Sequence, residues 1–337
     1  MKDNFLYIEL SKDGKISSKL AVIIQDLYAS YKKAAGEAGL EPKKGEELIN
    51  QLIRLVNQSI QNPVKFGIFH HCVRKPFDYY QFGLDFIRPL INFEQSKILG
   101  REYLKTINDQ ISKGENVILL ANHQTEPDAQ IISLLLQDYP DLAEKMIFIA
   151  GHRVIEDPMA IPLSMGCNLL CIYSKKHIDN PPEEKQKKVS HNQRTMKKMG
   201  ELLKEGGKCI YIAPSGGRDR PDSQGHFQVA PFDPQSIEML WLIAQRAATP
   251  THFYPLTLLT HSLMPPPNDI ESEIGEKRLP CRTPVFLGFG QEIDMEAIQE
   301  QETDKMEKRN KRAQAIWQMV DDNYTLLKKL KNLISQG

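Results

Sequence analysis

Six short apolar runs constrain the architecture more than anything else in this chain: NVILLA (116–121), KMIFIAG (145–151), NLLCIY (168–173), KCIYIA (208–213), THFYPLTL (251–258) and PVFLGFG (284–290). They are rich in Ile, Val, Phe and Tyr, and each is too short for a helix of useful length, so they read as strands buried on both faces. Helix-compatible segments lie between several of them, notably residues 128–137, 193–205 and 235–248. The alternation predicts an α/β fold, with a mixed, largely parallel sheet flanked by helices. Strand order does not follow from it.

The beginning of the chain is patterned differently. From residue 16 to about 39, Leu20, Ile23, Ile24, Leu27, Tyr28 and Tyr31 recur at helical spacing. A second helix is expected in GEELINQLIRLVNQSI, with Leu48, Leu52, Leu55 and Val56 on one side and Pro63 stopping it. Two amphipathic helices joined by GLEPKKG suggest a small helical domain over residues 1–75, followed by an α/β domain over 76–337. The last 40 or so residues read as one or two helices packing through Ile316, Met319, Leu326, Leu327 and Leu330. The first half of 175–198 and the proline-rich stretch 264–281 read as exposed loops.

Charge narrows the function. The 337 residues carry 43 Lys and Arg against 43 Asp and Glu, so no global field draws in nucleic acid, and any anion recognition must be local. The five cysteines include no C-x-x-C pair, which fits reduced thiols and predicts that Cys167 and Cys171 act as small buried hydrophobes. No apolar run approaches the roughly 18 residues of a membrane span, and the N-terminus lacks a signal-peptide core, so a soluble protein is expected.

Within this frame, LLANHQTEPDAQ (119–130) stands out, because a strand ends and a helix begins around His123 and Asp128. The C-terminal edge of an open α/β sheet is where ligands bind. Asp128 suits the positive end of the helix, and across such a turn its carboxylate can reach one ring nitrogen of His123, leaving the other free as a base. By themselves these residues also fit a loop histidine beside a first-turn charge. No second His or Cys lies at close ligand spacing, and no metal is expected.

A second candidate is YIAPSGGRDRP (211–221), where Gly216 and Gly217 permit close backbone approach and Arg218 and Arg220 offer forked donors to a phosphate or carboxylate. A solvated turn is the competing reading, with Asp219 expected to pair with one of the arginines. The third candidate, Lys175-Lys176-His177, follows NLLCIYS and places cations at another strand end. Convergence of the three on one anionic substrate is an expectation for the tertiary structure to meet.

N-H-Q-T-E-P-D (122–128), G-H-R-V (151–154), K-K-H (175–177), A-P-S-G-G-R-D-R-P (213–221) and Y-P-L-T-L (254–258) resemble, in order, the signature blocks of the soluble glycerol-3-phosphate acyltransferases of plastids and related bacteria. The resemblance covers about residues 116 to 290, and the helical start agrees with that family's two-domain plan. It implies transfer of a fatty acyl group from an acyl carrier protein or coenzyme A thioester to the sn-1 hydroxyl of glycerol 3-phosphate, giving lysophosphatidate, with no cofactor. It also implies His123 as general base, Asp128 as its orienter, and Lys176, His177, Arg218 and Arg220 as ligands of the glycerol phosphate. Pro127 departs from the small residue expected there, without touching the chemistry.

The resemblance places such a chain in the plastid stroma or a bacterial cytoplasm, with room for peripheral membrane contact through its lipid product. Backbone N–H groups near Gly216-Gly217, or at the helix start after His123, are the expected oxyanion donors. AIPLSMGCNLL (160–170) is the candidate acyl groove. Lys185, Lys187, Lys188, Lys197 and Lys198 are candidates for docking an acidic carrier protein. The alternatives are another acceptor, such as lysophosphatidate, and a non-catalytic protein that binds anions or lipids.

Overall fold

The computed structural model describes residues 18–65, 67–266, 276–297 and 304–336, with the side chains of residues 18, 176 and 177 outside that description. In chain order the elements are helices α1 (Ser18–Glu37) and α2 (Pro42–Gln61), strand β1 (Phe69–His70), α3 (Tyr79–Ile87), β2 (Lys97–Leu99), α4 (Arg101–Ser112) and β3 (Asn116–Ala121). There follow α5 (Asp128–Leu135), α6 (Pro140–Lys145), β4 (Ile147–Gly151), the short turns α7 (Arg153–Glu156) and α8 (Ile161–Ser164), and β5 (Asn168–Ile172). The remainder comprises α9 (Lys175–Ile178), α10 (Lys185–Glu205), β6 (Cys209–Ile212), α11 (Pro234–Ala247), β7 (Thr251–Leu259), β8 (Phe286–Phe289) and α12 (Lys305–Gln336).

The strands form one sheet of order β1-β5-β4-β6-β3-β7-β8-β2. Its centre, β5-β4-β6-β3-β7, is parallel, whereas β1 is antiparallel to β5 and β8 to β7. All six expected strands are present, and β3 is buried along its whole length. Its alternation sends Val117, Leu119 and Ala121 to a layer with Leu104 and Ile107 of α4 and Ile132 of α5. Ile118 and Leu120 face the opposite layer of Met199 and Leu203 (α10), Leu240 (α11) and Ile316 and Val320 (α12). Helices on both faces explain why the strands read as continuous apolar runs.

A third cluster joins Ile23, Ile24, Leu27 and Tyr31 of α1 and Leu52, Leu55 and Val56 of α2 to Phe86 of α3 and Ile131 and Leu134 of α5. Tyr31 stacks on Phe86 with ring centroids 4.3 Å apart and donates its hydroxyl to the Phe86 carbonyl at 3.0 Å. The first helices are thereby braced against α3, which packs in the same cluster as Ile131 and Leu134 of the helix that carries Asp128.

Several elements depart from expectation. Helix α2 begins at Pro42, since proline suits a first helical turn, where its missing N–H costs nothing. Helix α10 begins eight residues earlier than its apolar pattern, in a lysine-rich stretch of good intrinsic helix formers. Helix α12 is a single helix whose buried stripe is Ala313, Ile316, Val320, Tyr324 and Leu327, while Met319 and Leu326 are 38% and 50% exposed. The expected packing role of Met319 and Leu326 is therefore corrected by the helix phase. The proposed acyl-groove run is core, with Ala160, Ile161, Leu163, Leu169 and Leu170 buried.

Candidate active site

Because the central strands are parallel, Ala121, Gly151, Ile172, Ile212 and Leu259 end along one edge, and the loops that follow them share it. His123, His152, Lys175, the arginine loop and Thr260 all emerge there.

His123 Nδ1 lies 2.8 Å from Asp128 Oδ2. The same carboxylate oxygen accepts the backbone N–H groups of Gln124 at 2.8 Å and Thr125 at 3.2 Å, while Oδ1 accepts the Thr260 hydroxyl at 2.6 Å. An ionised carboxylate is only an acceptor, so it holds the proton on Nδ1 and leaves Nε2 with its lone pair. The Asp128 side chain is 4% exposed and that of His123 28%, which gives a buried orienter and an accessible ring. Asp128 therefore turns back to organise the strand end rather than simply facing solvent from a first helical turn. The amides of Gln124 and Thr125 are engaged by Asp128, so the expected supply of oxyanion donors just after His123 is smaller than the bare backbone suggests.

A buried polar lattice fixes this turn. Asn122 donates Nδ2 to Asp219 Oδ2 at 2.8 Å and to the Leu258 carbonyl at 3.0 Å, and its Oδ1 accepts the Leu258 N–H at 2.7 Å. Gln124 donates Nε2 to Asp219 Oδ2 at 3.2 Å and accepts the Thr260 N–H at 2.8 Å. Tyr211 donates its hydroxyl to the Asn122 carbonyl at 2.7 Å. These bonds tie β3, β6 and β7 together where His123 leaves the sheet, and each satisfied group avoids the desolvation cost of an unpaired one.

Asp219 corrects the sequence reading, because it is buried and accepts from Asn122, Gln124 and the Ala230 N–H at 2.9 Å rather than pairing with an arginine. Burial pushes its carboxyl up to about 6. Its own N–H donates to the His123 carbonyl at 2.6 Å, which places the arginine loop directly against the histidine turn.

Arg218 and Arg220 flank that contact. Arg218 Nη2 donates to Glu276 Oε1 at 2.6 Å, and Arg220 Nη2 lies 3.9 Å from the same carboxylate oxygen. Glu276 belongs to a strap held by Arg278, whose Nη1 donates to the Glu276 carbonyl at 2.8 Å. Arg278 is buried, with Nη2 2.8 Å from both Glu126 Oε2 and Asp157 Oδ2. Despite its burial, these carboxylates raise its pKa above the ordinary value. Glu126 sits two residues before Asp128, so the strap is anchored to the histidine turn itself.

Gly216 has φ +70°, in the left-handed region that favours glycine, and its N–H closes the turn onto the Ala213 carbonyl at 3.0 Å. That amide is therefore engaged within the turn. The Gly217 carbonyl accepts the Ser215 hydroxyl at 3.0 Å. Lys175 bonds to Asp233 Oδ2 at 2.7 Å and Gln235 Oε1 at 2.9 Å, at the start of α11. The backbone of Lys176 and His177 is in α9, but the placement of their side chains lies outside the described residues.

Among the expected docking lysines, Lys188 is corrected, because it is buried and donates to the Asn180 carbonyl. Lys185 pairs with Asp179 at 2.8 Å, whereas Lys187 and Lys197 are exposed. Sequence reasoning gave no role to Asn122, Gln124, Thr260, Glu276 or Arg278. The first three lie next to recognised motifs and could have been suspected as polar residues at the ends of buried strands. Glu276 and Arg278 sit in a charged loop without local pattern. Among the described residues, no group of three or more His, Cys, Asp or Glu is placed to hold a metal ion.

Comparison with known proteins identifies the family. Residues 99–258 match the profile of the family described as Acyltransferase, a range that runs from the end of β2 through α4 and β3 to most of β7. The chain is 41% identical to the chloroplastic glycerol-3-phosphate acyltransferase ATS12 of Cucurbita moschata over 320 residues, covering 94% of this chain and 69% of that protein. It is 37% identical to the chloroplastic glycerol-3-phosphate acyltransferase of Arabidopsis thaliana over 318 residues, covering 93% of this chain and 69% of the relative. With similarity of this extent reaching across the helical start, the sheet and the polar edge alike, the chain belongs to the glycerol-3-phosphate acyltransferase family.

Proposed function

We propose that this chain transfers a fatty acyl group from an acyl carrier protein or coenzyme A thioester to the sn-1 hydroxyl of glycerol 3-phosphate, giving lysophosphatidate and a free thiol. The observation that carries the reading is the oriented His123–Asp128 pair, one backbone hydrogen bond away from a loop bearing two arginines. His123 Nε2 takes the hydroxyl proton as the oxygen attacks the thioester carbonyl. The resulting tetrahedral oxyanion collapses, the C–S bond breaks, and the imidazolium returns its proton to the departing thiolate. Asp128 stabilises the imidazolium and keeps the reactive nitrogen outward.

Arg218 and Arg220 hold the phosphate, with Lys176 and His177 as further cations, so that the hydroxyl is delivered to His123. A thioester is already activated, and positioning and oxyanion stabilisation supply the rest of the rate without a cofactor step. Helices α1 and α2 belong to a small domain over residues 1–75 that braces the catalytic unit 76–337. The chain works in a plastid stroma or a bacterial cytoplasm and meets membranes peripherally. Among the described residues no helix is long and apolar enough to cross one.

The test is thiol release from palmitoyl carrier protein and palmitoyl coenzyme A, with and without glycerol 3-phosphate. Release should require the acceptor, and His123→Ala should lower turnover by about 10²–10⁴. Near-normal turnover in that variant would remove the histidine from the mechanism. Binding of glycerol 3-phosphate without any release would instead favour a non-catalytic protein.

A further inference from the structure

Glu276 occupies the donors that an incoming phosphate needs. Its Oε1 receives Arg218 Nη2 at 2.6 Å and lies 3.9 Å from Arg220 Nη2, and its side chain is only 13% exposed. Carboxylate and phosphate use the same guanidinium N–H groups, so occupation by one excludes the other. The carboxylate is also presented by an anchored segment, since Arg278 holds the Glu276 carbonyl while being locked to Glu126 and Asp157. A tethered ligand of this kind competes at a high effective concentration.

We propose that Glu276 is an affinity-setting residue for the acyl acceptor: its carboxylate is an internal competitor of the substrate's phosphate for Arg218 and Arg220. This rests on the reading of those arginines as phosphate ligands. Every anion that uses the pair must displace the same carboxylate, so apparent affinity is reduced by one common factor, the fraction of molecules with the arginines available. The competing role for Glu276, aligning the arginines for substrate, predicts the opposite sign.

The experiment compares wild type, Glu276→Gln, Glu276→Asp and Arg218→Ala, reading KM for glycerol 3-phosphate and the inhibition constant of inorganic phosphate. In Glu276→Gln both constants should fall together by about tenfold, the equivalent of 1.4 kcal/mol of lost competition. Glu276→Asp, with the carboxylate withdrawn by one methylene, should show a smaller fall in the same direction and stands in if the amide variant is unstable. In Glu276→Gln combined with Arg218→Ala the gain should vanish. An unchanged or higher KM in the glutamine variant, while Arg218→Ala alone raises KM, overturns the competitor and leaves the phosphate site intact. If Arg218→Ala leaves KM unaltered, the phosphate reading falls and the competitor with it.

Discussion

Asp128→Asn separates charge from geometry at the catalytic pair. In wild type one carboxylate oxygen, Oδ2, receives His123 Nδ1–H and the Gln124 and Thr125 amides, while Oδ1 meets only the Thr260 hydroxyl. An asparagine therefore places its oxygen at the Oδ2 position, where three N–H groups converge, and its NH₂ toward Thr260, whose hydroxyl can rotate and accept. The histidine keeps its tautomer and loses only the charge beside the imidazolium.

A hydrogen bond to a charged group contributes about 1.5–3 kcal/mol against about 0.5–1.5 for a neutral one, so the change costs about 1–2 kcal/mol. That corresponds to a fall in kcat of about 5- to 30-fold. Where an amide turns its NH₂ to the histidine and reverses the tautomer, the loss is about 10⁴. Turnover measured by thiol release under saturating glycerol 3-phosphate distinguishes the two, and thermal melting checks that the fold is retained. A loss near 10⁴ would refute the orienting role assigned to the two backbone amides, and a loss under twofold would refute the role of the charge.

Two further outcomes follow from the buried charges. Burial raises the Asp219 carboxyl from 3.8 to about 6, so between these values the folded chain holds a proton that the unfolded chain has released. Stability should therefore fall as pH rises through that window, by about 3 kcal/mol, and the wild-type and Asp219→Asn unfolding curves in urea should diverge from pH 4 to 6 and run parallel above it. Curves parallel throughout would show that the carboxyl is not held in this way. Arg278→Ala leaves Glu126 and Asp157, each with a side chain 11% exposed, without their guanidinium, and should destabilise the fold by about 3–5 kcal/mol in denaturant titration. A loss below about 1 kcal/mol would mean that the strap is not anchored through this residue.

The features legible in the chain are those encoded over short distances. The strands were readable because burial on both faces removes polar residues from a contiguous run, and β3 matches its expected bounds. The His123–Asp128 pair was readable because a single turn brings together residues five apart. Edge strands β1 and β2, of two and three residues, are too short to carry any periodicity. In α12, apolar residues lie on more than one face, so only the neighbours that cover the helix reveal which stripe is buried.

Tertiary structure alone decided the composition of the site around that pair. Asp219 looked like an arginine's partner because its sequence neighbours are arginines, yet the turn points it at Asn122, 97 residues away. Arg218 meets Glu276 across 58 residues, and Arg278 reaches Glu126 across 152. Local sequence specifies which segments become strands and helices, because propensity and burial pattern act within a few residues. Which charges face one another depends on strand order and loop paths, and these emerge only when the sheet is assembled.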